Sequence, residues 1–594
     1  MKKILAKIAV SGTITFMVIL LIVAGIQFFS SFQSSPTLDL MTAQSTESTA
    51  ITGTISHDLG LSSSSPRITS SGSYSSPLGS AASPAYSNSS TGTIGLSTGG
   101  AKDICNFREN IKNNFLPQPT DVTYEGLFYD YYFDTGIYRP CNKLFCPSYA
   151  TAVTRDPISH QTEYYISVGL NSGLRERDFE RKLLNLVIVL DISGSMNACF
   201  DQYYYDGYDR IDAYEGEGIY RKTKLDSAKE AVVTILNQLT HDDRFAIVVF
   251  SSNARIAVPM GSAGNAGIWD AEDEIMSLQT EGSTNLDAGM DLARAQFRRS
   301  INLDSDEYEN RIIVLTDAQP NTGDFQLRDF IKNVESSTED KVYTTFIGIG
   351  VDFNSQLIEG ITKVKGANYY SVRSPREFHR RMTEEFDFMV TPLIFNLRLD
   401  FQSRGWRIEQ VFGSPEADSA TGSLMTINTL FPSKSERGET KGGLVLLKLR
   451  RISSEPDERI YLRVSYEDRS GRRDSSESVV YLEETHPEYF ENTGIRKGIL
   501  LTRYAALLKN WMMDERQYYG TVDGWYPCID QDTGIKIPRE NVDQWERQSL
   551  SLRVSEPWTR IFRDFSRYFG DEADSISDGS LKQELDILKT LYSH

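Results

Sequence analysis

LVIVLDISGS, residues 186–195, decides how the centre of this 594-residue chain folds. Leu186–Leu190 is an unbroken apolar run, only as long as a strand and rich in β-branched residues, so it reads as a buried strand. The chain beyond it alternates helices and strands. Leu225–Leu239 has amphipathic helix spacing, and Arg244–Ser251 (RFAIVVFS) is a second apolar strand. Leu286–Arg298 reads as a helix, Arg311–Thr316 (RIIVLT) as a strand and Phe325–Val334 as a helix. Val342–Ile349 (VYTTFIGI) is a strand, followed by a helix near Ser355–Val364 and a short strand at Asn368–Val372. A helix at Pro375–Met389 closes the series. Apolar strands alternating with helices predict an α/β domain over residues 183–390, with a doubly wound, mostly parallel sheet and helices on both faces.

In such a sheet, ligands sit at the carboxyl ends of strands, in the loops that lead into helices. Asp191 ends its strand there, and Asp191, Ser193 and Ser195 present three oxygen-bearing side chains at alternate positions of one tight loop. Gly282-Ser283-Thr284-Asn285 precedes the Leu286 helix and Thr316-Asp317 ends RIIVLT, so both are expected at the same edge. The set offers the carboxylates of Asp191 and Asp317 and the hydroxyls of Ser193, Ser195 and Thr284. Hard oxygen donors without nitrogen or sulfur suit Mg²⁺ or Mn²⁺, with Ca²⁺ a further candidate. Neutral hydroxyls leave such a cation under-neutralised, so a carboxylate from another molecule can complete its shell. Alone, Asp191 reads as a helix cap and the two serines as a hydrogen-bonded loop. The specificity lies in three segments arriving in this order on these elements.

DISGSM (191–196), GSTN (282–285) and TD (316–317) resemble the metal-ion-dependent adhesion site of von Willebrand factor type A (VWA) domains. The resemblance implies that Ser193, Ser195 and Thr284 contact the metal through their hydroxyls. It implies that Asp191 and Asp317 act directly or through water. Where this chain has Ala318 and Ser283 the family commonly has glycine, a change in loop backbone freedom rather than in a ligand. The wider arrangement resembles prokaryotic proteins labelled calcium-activated-chloride-channel-like and, more distantly, inter-alpha-trypsin-inhibitor heavy chains. That likeness implies that the strand Thr162–Leu170 joins the strands of 391–485 in one sandwich, with the VWA domain inserted between them. It implies no channel, because one hydrophobic span cannot line a selective pore by itself.

Ile8–Phe29 is an uncharged apolar stretch long enough to span a bilayer. Lys2, Lys3 and Lys7 precede it and no Lys or Arg follows until Arg67, so the bulk of the chain is expected outside the membrane. The alternative, a cleaved signal peptide with a site near Val23-Ala24-Gly25, also exports the protein. Residues 1–29 are thus an anchor, and 30–100, rich in Ser, Thr and Gly, a disordered stalk with a glycosylation sequon at Asn88. Aromatic density rises in 101–182, an N-terminal region containing β structure. Residues 391–485 carry strands at Leu393–Phe401, Trp406–Val411, Leu424–Leu430, Gly443–Leu449, Ile460–Tyr466 and Ser478–Leu482, expected as a β-sandwich. Residues 486–594 read as helical. Helices are expected at Ile495–Met513, at Trp558–Phe569 between Ser555 and Gly570, and at Ser580–Tyr592, opened by a capping box at Ser580 and Gln583. The acidic, tyrosine-rich insertion Asn197–Tyr220 is either a contact surface beside the metal loop or a solvated loop. Asp530–Gly534 reads as a turn.

A net charge of −19 argues against a nucleic-acid partner. The five cysteines, Cys105, Cys141, Cys146, Cys199 and Cys528, have no zinc spacing. They form one or two disulfides, with Cys105, Cys141 and Cys146 the favoured group and at least one thiol left over, or remain buried thiols. No HExxH or phosphate-loop motif is present, and the six histidines are scattered, so no enzyme activity is expected. The resulting expectation is a membrane-anchored surface protein holding a protein partner through that partner's acidic side chain. The alternatives are an accessory subunit of a cell-envelope or membrane transport assembly and a metal-dependent hydrolase.

Overall fold

The computed structural model describes residues 93–594, apart from 103–105, 137–142, 200–221, 299–306, 318–326, 351–354, 373–374, 418–421, 453–458, 483–486 and 524–549. The expected anchor at 8–29, the stalk up to residue 92 with Asn88, nearly all of the 197–220 insertion and the turn at 530–534 lie outside the described residues. Among the described residues, no helix is long and apolar enough to cross a membrane. Cys146 is disulfide-bonded and Cys199 is a free thiol. Cys105, Cys141 and Cys528 are not among the described residues.

The chain opens with strands β1 (Thr93–Thr98) and β2 (Gly100–Ala101) and helices α1 (Asn106–Lys112) and α2 (Tyr124–Tyr129). Strands β3 (Tyr132–Phe133), β4 (Cys146–Arg155) and β5 (Thr162–Arg175) follow. The α/β domain begins with β6 (Leu183–Asp191), α3 (Lys224–Leu236), β7 (Arg244–Phe250), β8 (Ala254–Ser262) and α4 (Asn265–Ser277). It continues with α5 (Leu286–Phe297), β9 (Tyr308–Thr316), α6 (Leu327–Glu339) and β10 (Val342–Ile349). It closes with α7 (Ser355–Thr362), β11 (Asn368–Val372) and α8 (Pro375–Val390). Then come β12 (Ile394–Gln402), β13 (Trp406–Phe412), β14 (Leu424–Ser433), β15 (Ser435–Glu436) and β16 (Glu439–Lys441). Strands β17 (Leu444–Arg451), β18 (Ile460–Asp468), β19 (Arg473–Val480) and β20 (Tyr489–Phe490) follow. The helices α9 (Thr493–Asp523), α10 (Glu556–Ile576) and α11 (Lys582–Ser593) end the chain.

The α/β sheet has the order β2-β11-β10-β9-β6-β7-β8, parallel throughout except for the pair β7–β8. β6 stands near its centre, and its unbroken apolar run serves two cores. Leu186, Ile188 and Leu190 pack with Leu225, Val232 and Ile235 of α3 and Phe386 of α8. Val187 and Val189 face the opposite core, with Met290, Ala293 and Phe297 of α5 and Phe330 of α6. Each such side chain, once buried, contributes about 1.5–3 kcal/mol. The antiparallel β8 and the helix α4 were not expected. ARIAVPMGS lacks strict alternation, its apolar run is interrupted by Pro259, and that proline argues against a central strand. At the sheet edge, paired only with β7 through an irregular register, the proline is tolerated.

The second sheet has ten strands where a sandwich of two sheets was expected. Its order is β13-β17-β5-β1-β14-β12-β18-β19, with β4 on β5 and β20 on β4. The long β5 makes it continuous: Tyr164–Gly169 pair with β17, while Asn171 and Arg175 pair with β1. β5 therefore joins the strands of 391–485 across the α/β domain. Ile166, Leu397, Ile408, Ile427, Leu447 and Leu462 from six of these strands share one core. β1 corrects the far end of the stalk. In TIGLST the alternating Ile94 and Leu96 are buried, a short signal concealed behind a long Ser/Thr-rich tract.

Two helix ends also differ from expectation. α10 runs past Gly570 to Ile576, because Phe569, Ala573 and Ile576 continue its apolar face, and the left-handed Ser577 closes it instead. α11 is preceded by a 3₁₀ turn, which Asp578 rather than Ser580 caps by accepting the Ser580 N–H at 2.9 Å.

Candidate metal-binding site

β6 and β9 lie in register with Leu190 opposite Leu315, so the next residues, Asp191 and Thr316, end their strands side by side. The Thr316 hydroxyl donates to Asp191 Oδ2 at 2.7 Å. Asp191 Oδ1 accepts the Ser193 backbone N–H at 2.8 Å, which closes a tight Asx turn. That turn brings the Ser193 and Ser195 hydroxyl oxygens within 3.1 Å of each other.

Backbone hydrogen bonds deliver the second segment. The Gly194 N–H donates to Gly282 O at 3.0 Å, the Glu281 N–H to Ile192 O at 2.7 Å and the Asn285 N–H to Ser251 O at 2.8 Å. The last contact ties the Thr284 loop to the end of β7, the other neighbour of β6. Gly282 adopts φ +65°, and a Cβ there would fall 2.5 Å from Ser252 Oγ, so glycine is required. Asn285 caps α5 by accepting the Ala288 N–H at 3.1 Å. Asp191, Ser193, Thr284 and Asp317 are at most 1% exposed and Ser195 is 6% exposed. All five residues expected from sequence thus come to one edge of the sheet.

Burial, and next the Asp317 carboxylate, push the Asp191 carboxyl up to about 7, against the pull of its hydrogen bonds from Thr316 and Ser193. Two carboxylates that disfavour each other's charge, set among hydroxyls, form a donor set that a divalent cation fits. Among the described residues no group of three or more His, Cys, Asp or Glu side chains is placed to hold a metal. A cation here would therefore depend on the two carboxylates together with the hydroxyls.

Two side chains that the sequence reading missed also stand at the site. Thr316 was read only as the end of a strand, and its role depends on β9 being the neighbour of β6. Lys224, the first residue of α3, is fully buried, with Nζ 3.1 Å from Asp317 Oδ2. Its one sequence signal is a cation in a helix's first turn, where the dipole disfavours positive charge. Thr223 caps the helix. Its hydroxyl accepts the Asp226 N–H at 3.1 Å, and Asp226 Oδ2 accepts the Thr223 N–H at 3.2 Å. Thr223→Ala should lower stability by about 1 kcal/mol in urea unfolding. An unchanged midpoint would show that this box does not hold α3 in place.

An open, mostly parallel sheet that gathers an Asp-x-Ser-x-Ser loop and a second aspartate at one edge defines a doubly wound α/β domain with an oxygen-rich ligand edge. The family model for the von Willebrand factor type A domain matches residues 185–384, so this part of the chain is a VWA domain. Such domains typically mediate protein–protein interaction or adhesion. The mouse (Mus musculus) inter-alpha-trypsin inhibitor heavy chain H2 is 26% identical over 222 residues, which are 36% of this chain and 21% of that protein. The Escherichia coli (strain K12) protein YfbK is 26% identical over 207 residues, 35% of this chain and 31% of that protein. The matches thus span about a fifth to a third of these relatives' length. A solved von Willebrand factor type A structure from Catenulispora acidiphila covers 63% of this chain and 82% of that chain, at 16% identity and a TM-score of 0.41.

Proposed function

We propose that the chain is a non-enzymatic, membrane-anchored protein whose VWA domain binds a protein partner through a divalent cation. Ser193, Ser195 and Thr284 supply hydroxyl ligands, and Asp191 and Asp317 supply carboxylates directly or through water. An acidic side chain of the partner completes the shell of Mg²⁺, Mn²⁺ or Ca²⁺. In this reading Ile8–Phe29 is the anchor, residues 30–92 are the spacer and the VWA domain stands outside the membrane. The observation that carries the proposal is the buried Asp191–Asp317 pair beside the two serine hydroxyls 3.1 Å apart. A cation bound there supplies the positive charge that this pair requires and an open position for an anionic ligand.

Calorimetry of Mg²⁺ and Mn²⁺ binding to the full-length chain, beside Asp191→Ala, tests the site. Saturable binding by the wild type that the variant loses is expected. A folded wild type that takes up neither ion would remove the basis for metal-bridged adhesion.

A further inference from the structure

Lys224 is the one lysine in contact with the proposed cation set among the described residues, and its burial needs a reason. An ammonium is strongly hydrated, and removing it from water is costly unless a fixed negative charge receives it. Its position makes the cost larger, since it opens α3, where the helix dipole repels positive charge. The fold nevertheless holds it there. The Lys224 N–H donates to Ala198 O at 3.0 Å, three residues after the DISGS loop, which ties the start of α3 to that loop. The side chain is 0% exposed and its Nζ meets Asp317 Oδ2, itself 0% exposed, at 3.1 Å.

We propose that Lys224 is a resident cation of this site and sets its affinity for metal. Without metal, the ammonium balances the Asp317 carboxylate. A divalent cation taken up by Asp191 and Asp317 must share that carboxylate with the lysine or displace it, so uptake is weaker than the five donors alone would give. With the metal bound, two carboxylates, one dication and one ammonium leave the site with one excess positive charge. That excess favours an anionic partner group over a neutral one. The inference rests on the cation-site reading above.

The test is Mg²⁺ binding by calorimetry on the full-length chain, comparing wild type with Lys224→Met, Lys224→Gln and Lys224→Arg. Removing a like charge a few ångströms from the metal should tighten Mg²⁺ binding by about tenfold or more in the Met and Gln variants. Arginine keeps the charge and should stay near wild type. Equal or weaker binding by folded Met and Gln variants, with wild-type binding still lost in Asp191→Ala, would overturn the lysine's role and leave the cation site standing. Absence of binding in every variant would overturn both. Urea unfolding without metal gives a second readout that does not depend on loading. Lys224→Gln should destabilise the chain, and adding Asp317→Asn should recover part of that loss. A fully additive pair would contradict the ion pair's role. If Lys224→Met does not fold, the Gln and Arg variants carry the comparison.

Discussion

Without metal at neutral pH, Asp191→Asn is expected to unfold at higher urea than the wild type while losing Mg²⁺ binding altogether. The two effects have one cause. Asp191 is fully buried beside a second carboxylate, and its folded value of about 7 lies well above its ordinary value of 3.8. Between those two values the folded chain keeps a proton that the unfolded chain has released. Stability therefore falls as pH rises through that window and levels off above it. Asparagine has nearly the same shape and carries no charge to desolvate. Its carbonyl oxygen can still accept the Ser193 N–H, which donates to Asp191 Oδ1 at 2.8 Å. The gain should be on the order of 1–3 kcal/mol above about pH 7 and should shrink towards pH 4. Urea midpoints in chelator, measured for both proteins across this range, check it. A variant less stable than wild type at every pH would show that the carboxylate is not strained and needs no cation to offset its charge. A mutation that stabilises the chain while abolishing ligand binding is the expected signature of a residue kept for function.

What the sequence disclosed and what it concealed divide along physical lines. LVIVLD was legible because a strand covered on both faces has no polar positions, and few other short segments look like that. DISGS, GSTN and TD were legible because each follows such a strand or precedes a helix, which fixes the sheet edge without any knowledge of strand order. The Thr316–Asp191 hydrogen bond needs that order, since only the adjacency of β6 and β9 brings the two side chains together. Lys224 was hidden for a related reason. A lysine in an amphipathic helix reads as solvated, and its burial follows from where α3 meets the sheet edge. β8 was hidden because Pro259 breaks its short apolar run, which only an edge strand tolerates. The single continuous second sheet depends on β5 pairing first with β17 and then with β1, and nothing in TEYYISVGL distinguishes a strand that pairs with two partners along one side.

Glu584→Ala is expected to be the most destabilising single change outside the VWA domain, at about 3–5 kcal/mol. Its carboxylate is 0% exposed on α11 and receives Arg108 of α1, 476 residues away in the chain, through Nε at 3.3 Å and through Nη2. The Tyr131 hydroxyl donates to the same carboxylate at 2.6 Å, and Gln583 Nε2 donates to the Tyr131 oxygen at 2.9 Å. Burial, then the charge of Glu584, keeps the Tyr131 hydroxyl protonated well above the usual phenol range, so it acts as a donor to that carboxylate. Asp130 also binds Arg108, at 2.7 Å, but one carboxylate cannot satisfy a guanidinium that is 2% exposed. The alanine variant leaves that cation partly uncompensated and a tyrosine hydroxyl without its acceptor, in a core shared with Trp511, Phe562 and Leu588. Arg108→Met in the same chain should recover part of the loss, because an apolar pair is less costly than a single buried charge. Urea unfolding of the two single variants and the double variant measures this coupling. Mg²⁺ binding by the alanine variant, at temperatures where it remains folded, should match wild type. A loss near zero, or strict additivity with Arg108→Met, would show that the N-terminal and C-terminal helices are held together by their apolar faces alone.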